Sequence, residues 1–173
     1  MECGDDWPAQ IYRRLKEANI RQMSYVPDAG HARLIELFNA DADVRTSVLT
    51  TEEEGIAVNA GAWLGGERSV LLMQSSGVGN CINMLSLMPN CRIPLLALVT
   101  MRGEWAEFNP WQVPMGKATQ TVLEAMSVHV IRIDSTEEIA DALDSAITMA
   151  FESDMAVAVL LSQRLVGRKQ WTK

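Results

Sequence analysis

The stretch from Leu49 to Asn83, LTTEEEGIAVNAGAWLGGERSVLLMQSSGVGNCIN, constrains the fold of this chain more than any other. Its pattern predicts a helix, a buried strand and a glycine turn that opens a second helix. Thr50 or Thr51 can cap the first helix, with Glu53 and Glu54 three residues later as a capping box requires. Glu52 is left over, an acid in the first turn that capping does not use. Gly55, Ala57, Ala60, Gly61 and Ala62 keep that helix slim enough for a close neighbour. Ser69 to Met73 is a short apolar run suited to a strand covered on both faces. Gln74-Ser75-Ser76-Gly77-Val78-Gly79-Asn80 then reads as a strand-to-helix turn with outward-pointing backbone N–H groups. Complementing the helix dipole would account for Glu52 without any chemistry. The dinucleotide fingerprint fails at Ile82, and no P-loop lysine follows the turn. Spacing alone therefore gives a polar crevice in an α/β protein.

The rest of the chain continues the alternation. Pro8 to Ile20 predicts an amphipathic helix burying Ile11, Leu15 and Ala18. Met23 to Val26 is a strand ending in the turn Pro27-Asp28-Ala29-Gly30. Ala32 to Asn39 is helical, and Val44 to Leu49 is a strand. Ile93 to Thr100 is a continuous apolar run, hence a central strand. Gly103, Pro110 and Pro114 predict an irregular Met101–Met115. A helix over Ala118–Met126, a strand over Val128–Ile133, a helix boxed by Ser135 and Glu138, and a strand over Ala156–Leu161 complete it. The fold class is α/β, a mostly parallel sheet with helices on both faces, as one domain over residues 1–173. Ligands of such sheets bind beyond the carboxyl ends of the strands, where the polar turns lie.

Composition narrows the function classes. A net charge of −7 argues against general nucleic-acid binding, which needs clustered Lys and Arg. Cys3, Cys81 and Cys91 lack metal-ligand spacing and suit reduced thiols of a cytoplasmic protein. With His31 and His129 as the only histidines, a histidine metal site is not expected, and no apolar run reaches membrane-spanning length. Arg164, Arg168, Lys169 and Lys173 read as a solvated tail. The helix after the glycine turn, with Met84, Leu85, Leu87 and Met88, predicts an apolar face for a partner.

The segment TEEEGIAVNAGAWLGGERSVLLMQSSGVGN resembles the pyrimidine-binding domain of thiamine diphosphate enzymes, particularly sulfopyruvate and phosphonopyruvate decarboxylases. Tyr25-Val26-Pro27-Asp28, Met101-Arg102-Gly103-Glu104 and Gln112-Val113-Pro114-Met115-Gly116 extend the resemblance from about Ser24 to Ile133. The resemblance implies a catalytic glutamate at a helix start, nine residues before a helix glycine. Counting back from Gly61 selects Glu52, and a slip of one position would select Glu53. It implies that Gln74, Ser75, Ser76, Gly77, Gly79, Asn80 and Asn83 wall the aminopyrimidine. It brings Asp28, or Ala29 in the other alignment, to the reacting carbon of a neighbouring chain.

Family members also carry Gly-Asp-Gly and a downstream Asn for the diphosphate and magnesium. This sequence has no Gly-Asp-Gly. The resemblance therefore implies an α subunit whose cofactor is shared with a β subunit that holds magnesium, in a hetero-oligomer. The expected reaction is decarboxylation of a small 2-oxo acid, sulfopyruvate above phosphonopyruvate. Arg102 and Gln112 are the expected substrate-binding residues, with Trp105, Phe108 and Trp111 closing the site or meeting a subunit. A non-catalytic nucleotide- or protein-binding α/β subunit is the competing reading, with Glu52 then only a dipole acid.

Overall fold

In the computed structural model, which describes residues 6–168, the six apolar runs pair into one parallel sheet. In chain order the elements are α1 (Trp7–Glu17), β1 (Ile20–Tyr25), α2 (Ala32–Asn39), β2 (Arg45–Val48), α3 (Glu52–Leu64), β3 (Arg68–Gln74) and α4 (Ser75–Cys81). A 3-10 turn at Met84–Ser86 leads to α5 (Leu87–Cys91), β4 (Leu95–Thr100), α6 (Val113–Ala125), β5 (His129–Ile133), α7 (Ile139–Glu152), β6 (Ala156–Leu161) and α8 (Gln163–Val166).

The strands run in the order β2-β1-β3-β4-β6-β5. Side chains along them alternate between two apolar layers, as a pleated strand requires. Leu72, Leu96, Leu98 and Val157 pack with Ile11, Phe38 and Leu143 of α1, α2 and α7. Leu71, Met73, Ala97 and Val99 pack with Ile56, Val78, Met88 and Leu123 of α3–α6. Each such buried aliphatic side chain contributes about 1.5–3 kcal/mol, so the sheet is a rigid base for its loops. The chain leaves β1 for β2 on one side and returns to the other side of β1 for β3. Their connections therefore diverge, opening a crevice at the carboxyl ends of β1 and β3.

Several boundaries differ from the sequence reading. The Gln74–Asn80 turn is no loop: α4 starts at Ser75, and Gly77 and Gly79 lie within the helix. Glycine there meets a packing demand described below. The helix expected from Ala118 begins at Val113, because Pro114 sits in the first turn, where a missing N–H costs nothing. Within the stretch expected to be irregular, Asn109 caps a 3-10 turn over Pro110–Gln112 by accepting from Trp111 N. The exposed apolar face expected around Met84–Met88 is a correction: Leu85 and Met88 are each 1% exposed and belong to the core. Gly55 likewise packs inward, against Leu49 and Leu71. Arg164 sits on α8 with its guanidinium over Trp105 rather than in a solvated tail. Cys3, Lys169 and Lys173 lie outside the described residues.

Candidate functional site

Glu52 opens α3, and the acids beside it part company. Glu54 reaches back past the N-cap to accept from Thr50 N at 2.8 Å. The expected capping box does not form, since that bond bypasses the N–H of the N-cap Thr51, whose side chain makes no capping bond. Glu53 points to solvent, whereas Glu52 is 8% exposed. Its carboxylate lies on the first turns of α4, where a Cβ at Gly77 would overlap it. That contact, rather than a turn, is what requires glycine. Asn80 Nδ2 donates to Glu52 Oε2 at 2.8 Å, the carboxylate's one hydrogen bond among the described residues. One turn along α4 from Gly77, burial and the charges of Glu52 and Glu53 push the Cys81 thiol up to about 12. Cys81 is therefore a neutral packing group at physiological pH.

Asp28, in the turn after β1, is held by three donors. Thr100 Oγ1 lies 2.7 Å from Oδ2, Gln74 Nε2 2.8 Å from Oδ1, and Gly30 N 3.1 Å from Oδ2. Burial pushes its carboxyl upward, but these hydrogen bonds, that from Thr100 foremost, hold the pKa below the usual value. Asp28 is thus an anion at neutral pH, while Ala29 beside it is exposed. Ser76 Oγ donates to Gln74 Oε1 at 2.9 Å, which fixes the direction of the amide that spans β1 and β3. His31 is fully buried, with Nε2 3.2 Å from both Met73 O and Leu98 O. Two carbonyl partners require Nε2 to carry the hydrogen. Burial lowers the imidazole's pKa, so the ring is neutral.

The connection after β4 is closed on itself. Arg102 Nε and Nη2 donate to Glu107 at 2.7 and 2.6 Å. Gly103 N, Asn109 N and Gln163 Nε2 donate to the same carboxylate. The hydrogen bond from Arg102 leads in drawing its pKa down to about 2. Gln163 Oε1 accepts from Glu104 N and Trp105 N, both at 2.9 Å. Gly103, at φ +77°, lies against the Gln112 backbone, and Gly116 against Arg102 O. The two short motifs of the sequence thus cross at two glycines. Arg102 N donates to Ser75 Oγ, tying this loop to the start of α4. Gln112 Oε1 is buried with no hydrogen-bond partner among the described residues. Trp105, Phe108 and Trp111 are 40%, 38% and 85% exposed.

The expected residues therefore fall into two linked groups. Glu52, Gly77 and Asn80 form one; Asp28, Gln74 and Ser76 form the other, with Ser75 leading to Arg102. Gly79 meets Met115 Sδ. Asn83 is exposed, at the start of the 3-10 turn. Thr100, His31 and Gln163 were missed because their partners are remote in sequence, and Glu107 because its near partners lie in an irregular loop whose bonds follow no period. Among the described residues, no three His, Cys, Asp or Glu side chains group to hold a metal ion. No helix there is long and apolar enough to cross a membrane.

No family model matches the chain. The sulfopyruvate decarboxylase subunit alpha of Methanococcus maripaludis is 33% identical over 152 residues, covering 87% of this chain and 91% of the relative. That of Methanothermobacter thermautotrophicus is 35% identical over 152 residues, covering 87% and 92%. The phosphonopyruvate decarboxylase of Streptomyces viridochromogenes is 31% identical over 162 residues, 92% of this chain but 41% of that protein. In fold, the chain matches 2-oxoglutarate:ferredoxin oxidoreductase from Magnetococcus marinus with a TM-score of 0.73 at 12% identity, over 94% of this chain and 29% of the other.

Proposed function

The chain belongs to the family of sulfopyruvate decarboxylase alpha subunits, and from that premise we propose that it supplies the aminopyrimidine half of a shared thiamine diphosphate site. As a member it is one subunit of a carbon–carbon lyase that converts sulfopyruvate to sulfoacetaldehyde and carbon dioxide. A β subunit, in this reading, binds the diphosphate and magnesium, for which this sequence has no Gly-Asp-Gly. The complex works in the cytoplasm.

The observation that carries the reading is the Glu52 carboxylate. It is buried, seated on the Gly77 notch, and receives one hydrogen bond where a carboxylate can accept several. An acid so placed suits a ring nitrogen arriving from outside the chain. Bound there, thiamine diphosphate supplies the nucleophilic carbon and the electron sink for loss of carbon dioxide. Glu52 holds and exchanges the proton at the ring nitrogen, with Asn80 fixing its Oε2 in place. Burial favours Glu52 over Glu53 for this task, since Glu53 faces solvent. Gln74, Ser75, Ser76, Gly77 and Gly79 form the wall beside it. Asn83, exposed beyond α4, is the outermost member of that set. Asp28 presents a fixed negative charge at the crevice mouth, toward the reacting carbon. Arg102 Nη1, free of hydrogen bonds among the described residues, is the group that meets the substrate's anionic end, with the Gln112 amide behind it.

The test is reconstitution. The purified chain, its genomic β partner and the two together are assayed with sulfopyruvate, thiamine diphosphate and magnesium. Turnover only by the mixture supports the reading. Turnover by this chain alone, or none by the mixture, contradicts it. Preference for phosphonopyruvate would favour the alternative that the Streptomyces relatives raise.

A further inference from the structure

A pocket of about 150 Å³ opens at the carboxyl ends of β1 and β4, lined among others by Asp28, Gly30, Thr100, Arg102 and Arg168. It is too small for a whole cofactor, since sites for drug-sized ligands run to roughly 300–1,000 Å³. A single tetrahedral anionic group fits that scale. Two guanidinium residues and one carboxylate line it, an excess of one positive charge. The carboxylate is already engaged by Thr100, Gln74 and Gly30. Arg102 is oriented by Glu107 through Nε and Nη2, and its Nη1 makes no hydrogen bond among the described residues.

Arg168 is there for a backbone reason. Gly167 ends α8 at φ +89° and ψ 163°, a conformation open essentially to glycine alone. Its N–H closes the helix on Gln163 O, and Ser162 caps the other end by accepting from Leu165 N. A solvated tail has no need of such a turn.

We propose that this pocket seats the sulfonate of the substrate, with Arg168 as a specificity-determining residue beside Arg102. The inference rests on the sulfopyruvate reading above. A sulfonate carries one negative charge and balances the excess. A phosphonate, which like a phosphate monoester approaches two charges near neutral pH, overshoots it while facing Asp28. Paired forks also suit an oxyanion better than a lone ammonium does.

The test uses 3-sulfopropanoate, which lacks the 2-oxo group and cannot react. Its affinity for the full chain is measured by calorimetry for wild type, Arg168→Gln, Arg168→Lys and Gly167→Ala. The expected result is at least a tenfold loss for Arg168→Gln and a smaller one for Arg168→Lys, with melting temperature unchanged. Gly167→Ala meets no atom within 4 Å and acts only by straining the turn, so a several-fold loss is expected. In the reconstituted complex, Arg168→Gln should raise KM for sulfopyruvate much more than it lowers kcat. Absence of binding by wild type, or undiminished binding by Arg168→Gln, overturns the pocket even if the complex turns over sulfopyruvate. Binding that depends on Arg168, in a complex that does not decarboxylate sulfopyruvate, keeps the pocket and sinks the function.

Discussion

Glu52 and Glu107 are both buried carboxylates near the carboxyl end of one sheet, and they are treated in opposite ways. Glu107 accepts five hydrogen bonds, two of them from the Arg102 fork, and its pKa is drawn down to about 2. Glu52 accepts one among the described residues, from Asn80, and rests against a glycine. A buried acid whose lone pairs are all used is a structural brace. One left with spare acceptor capacity can serve a group from outside the chain, which is the role proposed for Glu52.

The comparison can be broken most severely at the brace. Glu107→Gln leaves the Arg102 charge without its counter-ion in a mostly buried place, so stability should fall by about 3–5 kcal/mol. Urea unfolding of the purified chain measures it. A loss under 1 kcal/mol would mean that the loop is held by its backbone alone.

Acid should reach the same brace. The carboxyl of Glu107 ordinarily titrates at 4.5 and here at about 2. A depressed folded pKa stabilises above the unfolded value and loses that contribution as pH falls toward the folded one. Wild type should therefore lose up to about 3 kcal/mol between those values, a slope that Glu107→Gln removes. Parallel pH profiles for the two proteins would remove Glu107 from that role.

Gly77→Ala tests the other region. Its methyl group must displace the Glu52 carboxylate, so a stability cost of about 1–3 kcal/mol is expected together with loss of reconstituted activity. Gly61→Ala, which meets nothing within 4 Å, serves as the control. Smallest of all, Glu54→Gln should cost no more than about 1 kcal/mol and leave turnover near normal, because Glu54 is exposed and holds the start of α3 through Thr50 N.

Much of this division was legible in the sequence, and the remainder was hidden for definite reasons. Alternating apolar runs gave the parallel sheet, and β6 coincides with the run Ala156–Leu161. Glu52 stood out because capping left it unused. The Gln74–Asn80 segment misled because its glycines favour a turn, while their actual cause is Glu52 pressing on Gly77 from another helix. Pro114 misled because a helix start and a helix break share that residue. Glu107 was invisible because its bonds to Arg102, Gly103 and Asn109 cross an irregular loop that follows no period, and its further partner Gln163 lies 56 positions away. Arg168 was read as solvated tail and is exposed, but only the fold brings it to the rim of one pocket with Asp28 and Arg102.

The central claim is that Glu52 is buried for chemistry and Glu107 for structure. Glu52→Gln keeps shape and one acceptor oxygen but removes the charge. Its turnover of sulfopyruvate in the reconstituted complex should fall by roughly two decades or more, the scale of general acid–base catalysis. Its melting temperature should barely move, since a helix-start acid contributes only about 0.3–1 kcal/mol. Glu53→Gln is measured beside it and should keep near-normal turnover. Normal turnover by Glu52→Gln, or a loss that follows Glu53 instead, would contradict the account.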